Sequence, residues 1–193
     1  MANEAVKIDG VWRILRIAGW SFAAILLLLP AVAMQFTSEV DWDARDFIVM
    51  GALLGSVGLI TEFLFRQSGS TAYRLGAVLA MAAAFLTIWV NLAVGMIGTE
   101  GNPYNLLFGG VLLIALIGSI LAGFRPAGMA HTMFATAAAQ ALAGGLGLST
   151  DPLGAVFSML FALPWILSAA LFRNAARDQG TNTVSIAPGD VSG

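Results

Sequence analysis

Long apolar runs separated by short polar stretches make up most of the chain. A membrane-spanning helix needs about 20 consecutive, mainly apolar residues, because it must cross a hydrocarbon core roughly 30 Å thick. Six runs have about this length, and the fifth is the weakest, since it is rich in alanine and glycine and carries His131 and Gln140. The runs are residues 12–34, 47–65, 73–97, 105–124, 127–148 and 153–172.

These runs predict helices and not strands. Strands of a membrane barrel alternate apolar and polar residues over about ten positions, whereas the runs here are apolar on all sides and far longer. Lipid offers the backbone no hydrogen-bond partners, so each run must satisfy its own polar groups as a helix. The pattern therefore predicts an all-α, polytopic membrane protein, with six transmembrane helices in one antiparallel bundle over residues 1–177.

The two termini carry separate predictions. Residues 178–193 are polar, small and without helical periodicity, so we expect a disordered tail. Residues 1–33 also resemble a signal peptide, with basic residues before an apolar stretch and an A-x-A sequence at 31–33. The apolar stretch is longer than a usual signal core, which favours a retained helix, and cleavage stays open.

Composition agrees with a membrane protein. Of the 193 residues 59% are hydrophobic and 10% are charged, against roughly 25% charged in soluble domains. Cysteine is absent, which excludes disulfides and thiolate metal sites. No basic patch with interleaved aromatics indicates a nucleic-acid partner. No nucleophile with a base, phosphate-binding loop or H-E-x-x-H motif is present, so we expect no enzyme activity and no cofactor.

The basic residues predict the orientation in the membrane. Numbering the loops alternately places eight of the nine lysines and arginines on the side of the N-terminus, and only Arg45 on the other. Because short cytoplasmic loops collect lysine and arginine, both termini are predicted to face the cytoplasm. The eight are Lys7, Arg13, Arg16, Arg66, Arg74, Arg125, Arg173 and Arg177.

Carboxylates collect on the opposite, outer side. Their oxygens are ligands of the type that calcium or magnesium takes. Their spacing does not match an EF-hand loop, and the alternative is a solvated loop without a bound ion, so no metal site is assigned with assurance. The candidate cluster is Glu39, Asp41, Asp43, Glu100 and Asp151.

Four polar residues within the predicted helices are candidate sites. Asn91 and Gln140 lie mid-helix, where amides either bridge neighbouring helices or line a solute path. Glu62 and His131 lie nearer the cytoplasmic ends. They form either a proton or metal site or, more simply, an ion pair of Glu62 with Arg66 beside an interfacial histidine. No carboxylate lies at a helix centre, which disfavours a proton-relay pump.

Small residues recur at helix-packing spacing. Gly51 and Gly55 form a GxxxG pattern followed by Gly58, and Gly118 repeats a small residue four positions before Ala122. Such positions allow two helix backbones to approach closely, either inside one chain or between chains. In the sixth run, Pro164 is expected to bend the helix, because proline lacks the N–H that a helix interior requires.

Two motifs carry a resemblance to known proteins. The stretches "MQFTSEVDWDARDF" (34–47) and "NLAVGMIGTEGNPYN" (91–105) resemble those of a group of uncharacterised small multi-pass membrane proteins of bacteria. The resemblance extends over most of residues 12–148. It implies a bacterial cytoplasmic-membrane protein and assigns no functional residue.

Two functions compete on this evidence. The first is an accessory or interaction protein, a helical bundle in the lipid bilayer that associates with itself or with a larger membrane complex. The alternative is a small-solute or ion transporter or channel with a polar path near Asn91 and Gln140. An intramembrane enzyme using His131 and Glu62 is the least favoured.

Overall fold

The structure, a computed structural model, describes the backbone of residues 2–186 and the side chains of residues 13–181. This part of the chain is all-helical and contains no strand, which confirms the all-α part of the prediction. The helices are α1 (Ala2–Ala33), α2 (Ala44–Gln67), α3 (Thr71–Ala93), α4 (Leu106–Leu121), α5 (Pro126–Leu146), α6 (Pro152–Leu160) and α7 (Ala162–Ile186), with a 3-10 turn (Pro103–Asn105) before α4.

Within the described residues, five helical segments are long and apolar enough to cross a membrane, as expected of a membrane-embedded protein. The fifth run of the sequence, α5, has 21 residues but is not among them, since His131, Gln140 and several threonines and glycines lower its hydropathy. The five segments are Arg13–Ala33, Ala44–Gln67, Thr71–Ala93, Pro103–Leu121 and Pro152–Thr181.

Several helix boundaries differ from the sequence pattern, most clearly at the end of α3 and in the sixth run. The third run was expected to continue to residue 97, but α3 ends at Ala93. The sixth run is interrupted at Phe161, between α6 and α7 and one turn before Pro164, in line with the bend expected there. The helix α7 then continues to Ile186, so residues 178–186 are helical although the sequence predicts disorder from 178. The remainder of the predicted tail lies outside the described residues.

The chain packs as two compact units, Met1–Ile60 and Thr61–Gly193. One transmembrane domain over residues 1–177 stays a prediction. In the first unit, the Trp20 ring of α1 lies so close to Gly58 of α2 that a Cβ at Gly58 would come within 2.7 Å of it. Leu27 likewise approaches Gly51, at 3.8 Å from an added Cβ. Two of the predicted packing glycines therefore serve contacts inside this unit.

Acidic residues begin α2 in the first unit. The Asp43 Oδ1 atom accepts hydrogen bonds from the backbone N–H groups of Arg45 (2.7 Å) and Asp46 (3.0 Å). In return, the Asp43 N–H donates to Asp46 Oδ2 at 2.9 Å. This reciprocal arrangement is a capping box, which satisfies N–H groups that the first helical turn leaves without partners.

In the second unit, α5 packs against α4, α6 and α7, and α3 packs against α7. Helix α5 is therefore central, and its buried polar residues Thr132, Thr136 and Gln140 face protein. Many of the buried core residues around it are alanines, which allow close helix approach. Because neighbouring helices cover most of its circumference, α5 does not need the apolar surface that a lipid-facing helix needs.

Hydrogen bonds and ring contacts fix the helix register at one end of this unit. The Tyr73 hydroxyl donates to the Phe124 carbonyl at 2.8 Å, and the Tyr73 ring meets the Phe172 ring edge to face at 5.0 Å. Ser168 of α7 donates to the carbonyl of Gly76 of α3 at 2.8 Å. We call this the arginine end, defined by Arg74, Arg125, Arg173 and Arg177. The opposite end, defined by Glu100 and Asp151, is the acidic end.

Candidate functional site

The loop between α3 and the 3-10 turn, residues 94–102, folds over the acidic end of the second unit around one side chain. Asn105 is 5% exposed, and its Oδ1 atom accepts hydrogen bonds from the N–H groups of Met96 (3.0 Å) and Ile97 (2.9 Å). Its Nδ2 atom donates to the Thr99 carbonyl at 2.9 Å. One amide thus replaces the hydrogen bonds that these backbone groups lack once the helix has ended.

Two glycines allow the chain to turn at this point. Gly95 and Gly98 have φ angles of +79° and +66°, in the region that side chains with a Cβ rarely adopt. A Cβ at Gly95 would also lie 2.8 Å from Asn105 Nδ2 and 3.0 Å from the Thr99 carbonyl. The loop therefore requires glycine at position 95 for both conformation and space.

Asp151 joins the loop to α6. Its Oδ1 atom caps α6 by accepting from the Gly154 N–H at 3.0 Å, and its Oδ2 atom accepts from the Gly98 N–H at 2.8 Å. These hydrogen bonds, from Gly154 first and Gly98 second, hold the pKa of the Asp151 carboxyl below its ordinary value of 3.8. The charged form of Asp151 is thus part of the folded structure.

A second branch of the network enters the core. The Ser158 hydroxyl donates to the Met96 carbonyl at 2.7 Å, and Gln140 Nε2 donates to the Ser158 carbonyl at 3.1 Å. On the other side, Asn91 Nδ2 donates to the Asn105 carbonyl at 3.1 Å. Asn91 and Gln140 are therefore brought into one network, through Asn105, Met96 and Ser158.

Four buried polar atoms have no hydrogen-bond partner within the described chain: Thr87 Oγ1, Asn91 Oδ1, Gln140 Oε1 and Trp165 Nε1. The Ser168–Gly76 hydrogen bond sets the register of α3 against α7. Thr87 lies 11 residues beyond Gly76 on α3, or about 16 Å along that helix at ~1.5 Å per residue. Ser158 lies 10 residues before Ser168, on the other side of the interruption at Phe161. Thr87 is therefore near the level of Ser158 and its partner Gln140, where free acceptors can bind a water or a small polar solute.

Glu62 and His131 occupy different surroundings. Glu62 is half-buried near the end of α2, whereas His131 is exposed on α5. His131 lines a cavity of about 590 Å³ between α5 and α7, together with Arg173 and Arg177, and Glu62 does not line it. The geometry gives no support to a joint proton or metal site.

The acidic residues do not gather into a cation site. Among the residues that the structure describes, no three histidine, aspartate or glutamate side chains form a metal-binding group. Asp43 and Asp151 are occupied as helix caps, while Glu39, Asp41 and Glu100 are exposed. A divalent ion at these acids remains a hypothesis without geometric support.

The remaining packing glycines differ in their use. Gly118 of α4 lies against Thr132 of α5, and a Cβ there would come within 2.6 Å of the threonine methyl. Gly55 of α2, by contrast, has nothing within 4 Å of the position of a Cβ. Packing within the chain thus employs Gly51, Gly58 and Gly118, and leaves Gly55 available.

Sequence reasoning found Asn91, Gln140 and Asp151 but missed Asn105 and Ser158 as the connecting residues. The available signal was the pattern of glycines and asparagines in "GMIGTEGNPYN", which is typical of turns held by side-chain amides.

Comparison of the chain with protein-family models, with curated protein sequences and with solved structures finds no match. The resemblance to small bacterial multi-pass membrane proteins therefore stays a prediction, and the function must be argued from the chain itself.

Proposed function

We propose that the protein is an accessory protein of the bacterial cytoplasmic membrane, a helical bundle that associates through its first unit with a second copy or with a larger membrane complex. The observation that carries this proposal is the low burial of that unit. Only 6% of the α1 span is buried, the lowest value of the five spans, against 39% for the segment Pro152–Thr181. The α2 span is 17% buried, the same as Pro103–Leu121 of the second unit, so α1 sets the first unit apart.

The polar groups of the second unit support a structural role. The amides of Asn91 and Gln140 each donate to a backbone carbonyl of another segment, as expected of residues that hold helices together. Within the described residues, no three histidine, aspartate or glutamate side chains form a group that could hold a metal ion. The proposal therefore assigns the protein binding and not chemistry.

The course of α5 supports six membrane crossings with both termini in the cytoplasm. It begins beside Phe124 at the arginine end, and Gly147 after its last residue lies against Ile97 at the acidic end. Its 21 residues span about 31 Å at ~1.5 Å per residue, close to the hydrocarbon thickness of a membrane. Protein contacts on three sides compensate for its lower hydropathy.

Gly55 offers a direct test of association. A leucine at this position meets no atom within 4 Å of its Cβ, and it improves helix propensity by up to about 1 kcal/mol. Gly55→Leu should therefore leave the monomer folded while preventing close helix approach from outside. The matched control is Gly109→Leu in α4, where a Cβ is equally unobstructed.

The measurement is the protein mass in detergent, by light scattering after size-exclusion chromatography, with crosslinking in native membranes. We expect an oligomer for wild type and Gly109→Leu, and a smaller species for Gly55→Leu. A wild type that is monomeric in both measurements contradicts self-association. An oligomer that survives Gly55→Leu contradicts the assignment of this helix face.

A transporter or channel is the second candidate, and the unpartnered oxygens of Thr87, Asn91 and Gln140 favour it. Solute or ion flux into liposomes tests it, with Asn91→Leu as the variant and Asn102→Ala, the half-buried cap of the 3-10 turn, as the control. Flux that falls only in Asn91→Leu supports a polar path. Background flux in wild type argues against transport of the solutes offered.

A further inference from the structure

We propose that the cavity between α5 and α7 at the arginine end binds one anionic phospholipid. The cavity has a volume of about 590 Å³ and lies wholly within the second unit. Its charged lining consists of His131, Arg173 and Arg177, and the rest is apolar, with Phe134, Ile166 and several alanines. This site is independent of the association proposed above, which rests on the first unit.

The two arginines form an anion site by their spacing. Arg173 and Arg177 are four residues apart on α7, so both side chains lie on the helix face that borders the cavity. Like charges at this spacing repel each other, unless an anion lies between them. Neither guanidinium is ion-paired within the described part of the chain. Arginine binds phosphate through two parallel N–H groups, which fits a phosphodiester.

The carboxylate that follows this pair in the sequence does not line the same cavity. Asp178 follows Arg177 directly, but it lines a different cavity beside Ser70 and Thr71. Adjacent residues of a helix point to different faces, so Asp178 is directed away from α5. The groove therefore keeps a net positive rim.

The apolar part of the groove fits an acyl chain. The α7 residues that line the groove extend from Ile166 to Arg177, which are 11 residues apart. This corresponds to about 16 Å along the helix at ~1.5 Å per residue. Half of a hydrocarbon core of roughly 30 Å is of the same length. Alanines on both helices leave room beside the backbone, and Phe134 and Ile166 mark the end farthest from the arginines.

The predicted orientation places the groove beside the membrane leaflet that contains anionic lipid. The arginine end is the side that the positive-inside rule assigns to the cytoplasm, and the cytoplasmic leaflet carries anionic lipid. A basic pocket between transmembrane helices on that side is the expected form of an anionic headgroup site. The positive charge of the arginines, the length of the apolar lining and the predicted cytoplasmic position all fit one ligand. This ligand is a phospholipid with a net negative headgroup.

The experiment uses the full-length protein, delipidated in a neutral detergent. Phosphatidylglycerol and phosphatidylcholine with identical acyl chains are titrated, and bound lipid is counted by native mass spectrometry while thermal unfolding is followed. We expect one saturable phosphatidylglycerol per chain, a rise in Tm, and no comparable effect of phosphatidylcholine. Inorganic phosphate is the third arm, and a shift equal to that of phosphatidylglycerol would overturn the lipid assignment in favour of a free anion.

Two variants separate the groove from general surface charge. Arg173→Gln/Arg177→Gln should weaken phosphatidylglycerol binding by about tenfold or more, because charge-assisted hydrogen bonds are lost. Ala170→Leu fills the apolar part and should weaken binding while all charges remain. Arg66→Gln, an exposed arginine in the last turn of α2, is the control and should bind as wild type does. Unchanged selectivity in the double variant, unchanged affinity in Ala170→Leu, or an equal loss in Arg66→Gln would each overturn the proposal.

Discussion

The Asn105 side chain holds the loop that follows α3 in place through its hydrogen bonds. Its carbonyl oxygen accepts from two consecutive N–H groups, and its amide nitrogen donates to a third residue. Met96 and Ile97 are buried there, at 2% and 0% exposure, so water cannot take over these bonds. The backbone of the loop depends on this amide because a buried N–H without a partner is costly.

Asn105→Leu should therefore destabilise the protein strongly. The substitution leaves two buried N–H groups unpaired, at ~1–3 kcal/mol each, so we expect a loss of about 2–6 kcal/mol in the free energy of unfolding. The control is Asn102→Ala, which removes one half-buried cap of the 3-10 turn and should cost about 1 kcal/mol. Unfolding in mixed micelles with added SDS measures both, and equal losses would contradict the assigned role of Asn105.

The depressed pKa of Asp151 predicts how stability depends on pH. Its folded pKa lies below the ordinary 3.8, because Gly154 and Gly98 donate to the charged carboxylate. A group with a depressed folded pKa contributes stability that is present above the unfolded pKa and is lost as the pH falls through the folded pKa. The Tm of wild type should exceed that of Asp151→Ala at pH 5 to 8, and the difference should shrink below about pH 4.

Glu100→Ala is the matched control for that titration, since Glu100 is an exposed carboxylate at the same end. Its Tm should follow wild type at every pH. A difference between wild type and Asp151→Ala that persists unchanged at pH 3 would contradict the charged cap.

At the scale of helices, α5 and α6 pack so closely at Gly144 that no side chain fits there. A Cβ at Gly144 would lie 2.9 Å from the Met159 backbone nitrogen and 3.0 Å from the Ala155 carbonyl oxygen. Backbone atoms cannot move aside as a flexible side chain can. The neighbouring Gly145 has nothing within 4 Å of the same position.

These adjacent glycines provide a paired test of that packing. Gly144→Ala should destabilise the protein by about 1–3 kcal/mol, because it forces two helices apart. Gly145→Ala should be neutral or stabilising by up to about 1 kcal/mol, because alanine favours the helix. Both are compared with wild type by the same unfolding titration. Similar effects of the two variants would show that α5 and α6 are not in close contact.

Helix positions were predictable from apolar run length, whereas helix ends were not. Val94, Met96 and Ile97 are as apolar as the residues before them, so the pattern continues the third run to 97. The structure ends α3 at Ala93, because Asn105 and Asp151 supply the hydrogen bonds of the loop. These hydrogen-bond partners lie far away in the sequence, so they leave no periodic pattern near the helix end. For the same reason, the sequence could indicate the polar residues of the site one by one but not the hydrogen bonds that connect them.

At the scale of the whole molecule, hydropathy and packing give different counts of membrane crossings. Hydropathy favours five segments, and an odd number would place the two termini on opposite sides. Packing favours six, because α5 connects the arginine end to the acidic end beside α4 and α6. The arginine distribution agrees with six, since with five crossings Arg173 and Arg177 would fall on the outer side.

Single cysteines on either side of α5 distinguish the two counts, because the chain has no native cysteine. Arg125→Cys lies before α5, and Ser149→Cys follows it, and both positions are exposed. If α5 crosses the membrane, an impermeant thiol reagent should label Ser149→Cys on intact cells, and Arg125→Cys only after permeabilisation. Labelling of both cysteines from the same side would mean that α5 does not cross. Labelling of Arg125→Cys on intact cells would remove the cytoplasmic leaflet as the source of lipid for the arginine end.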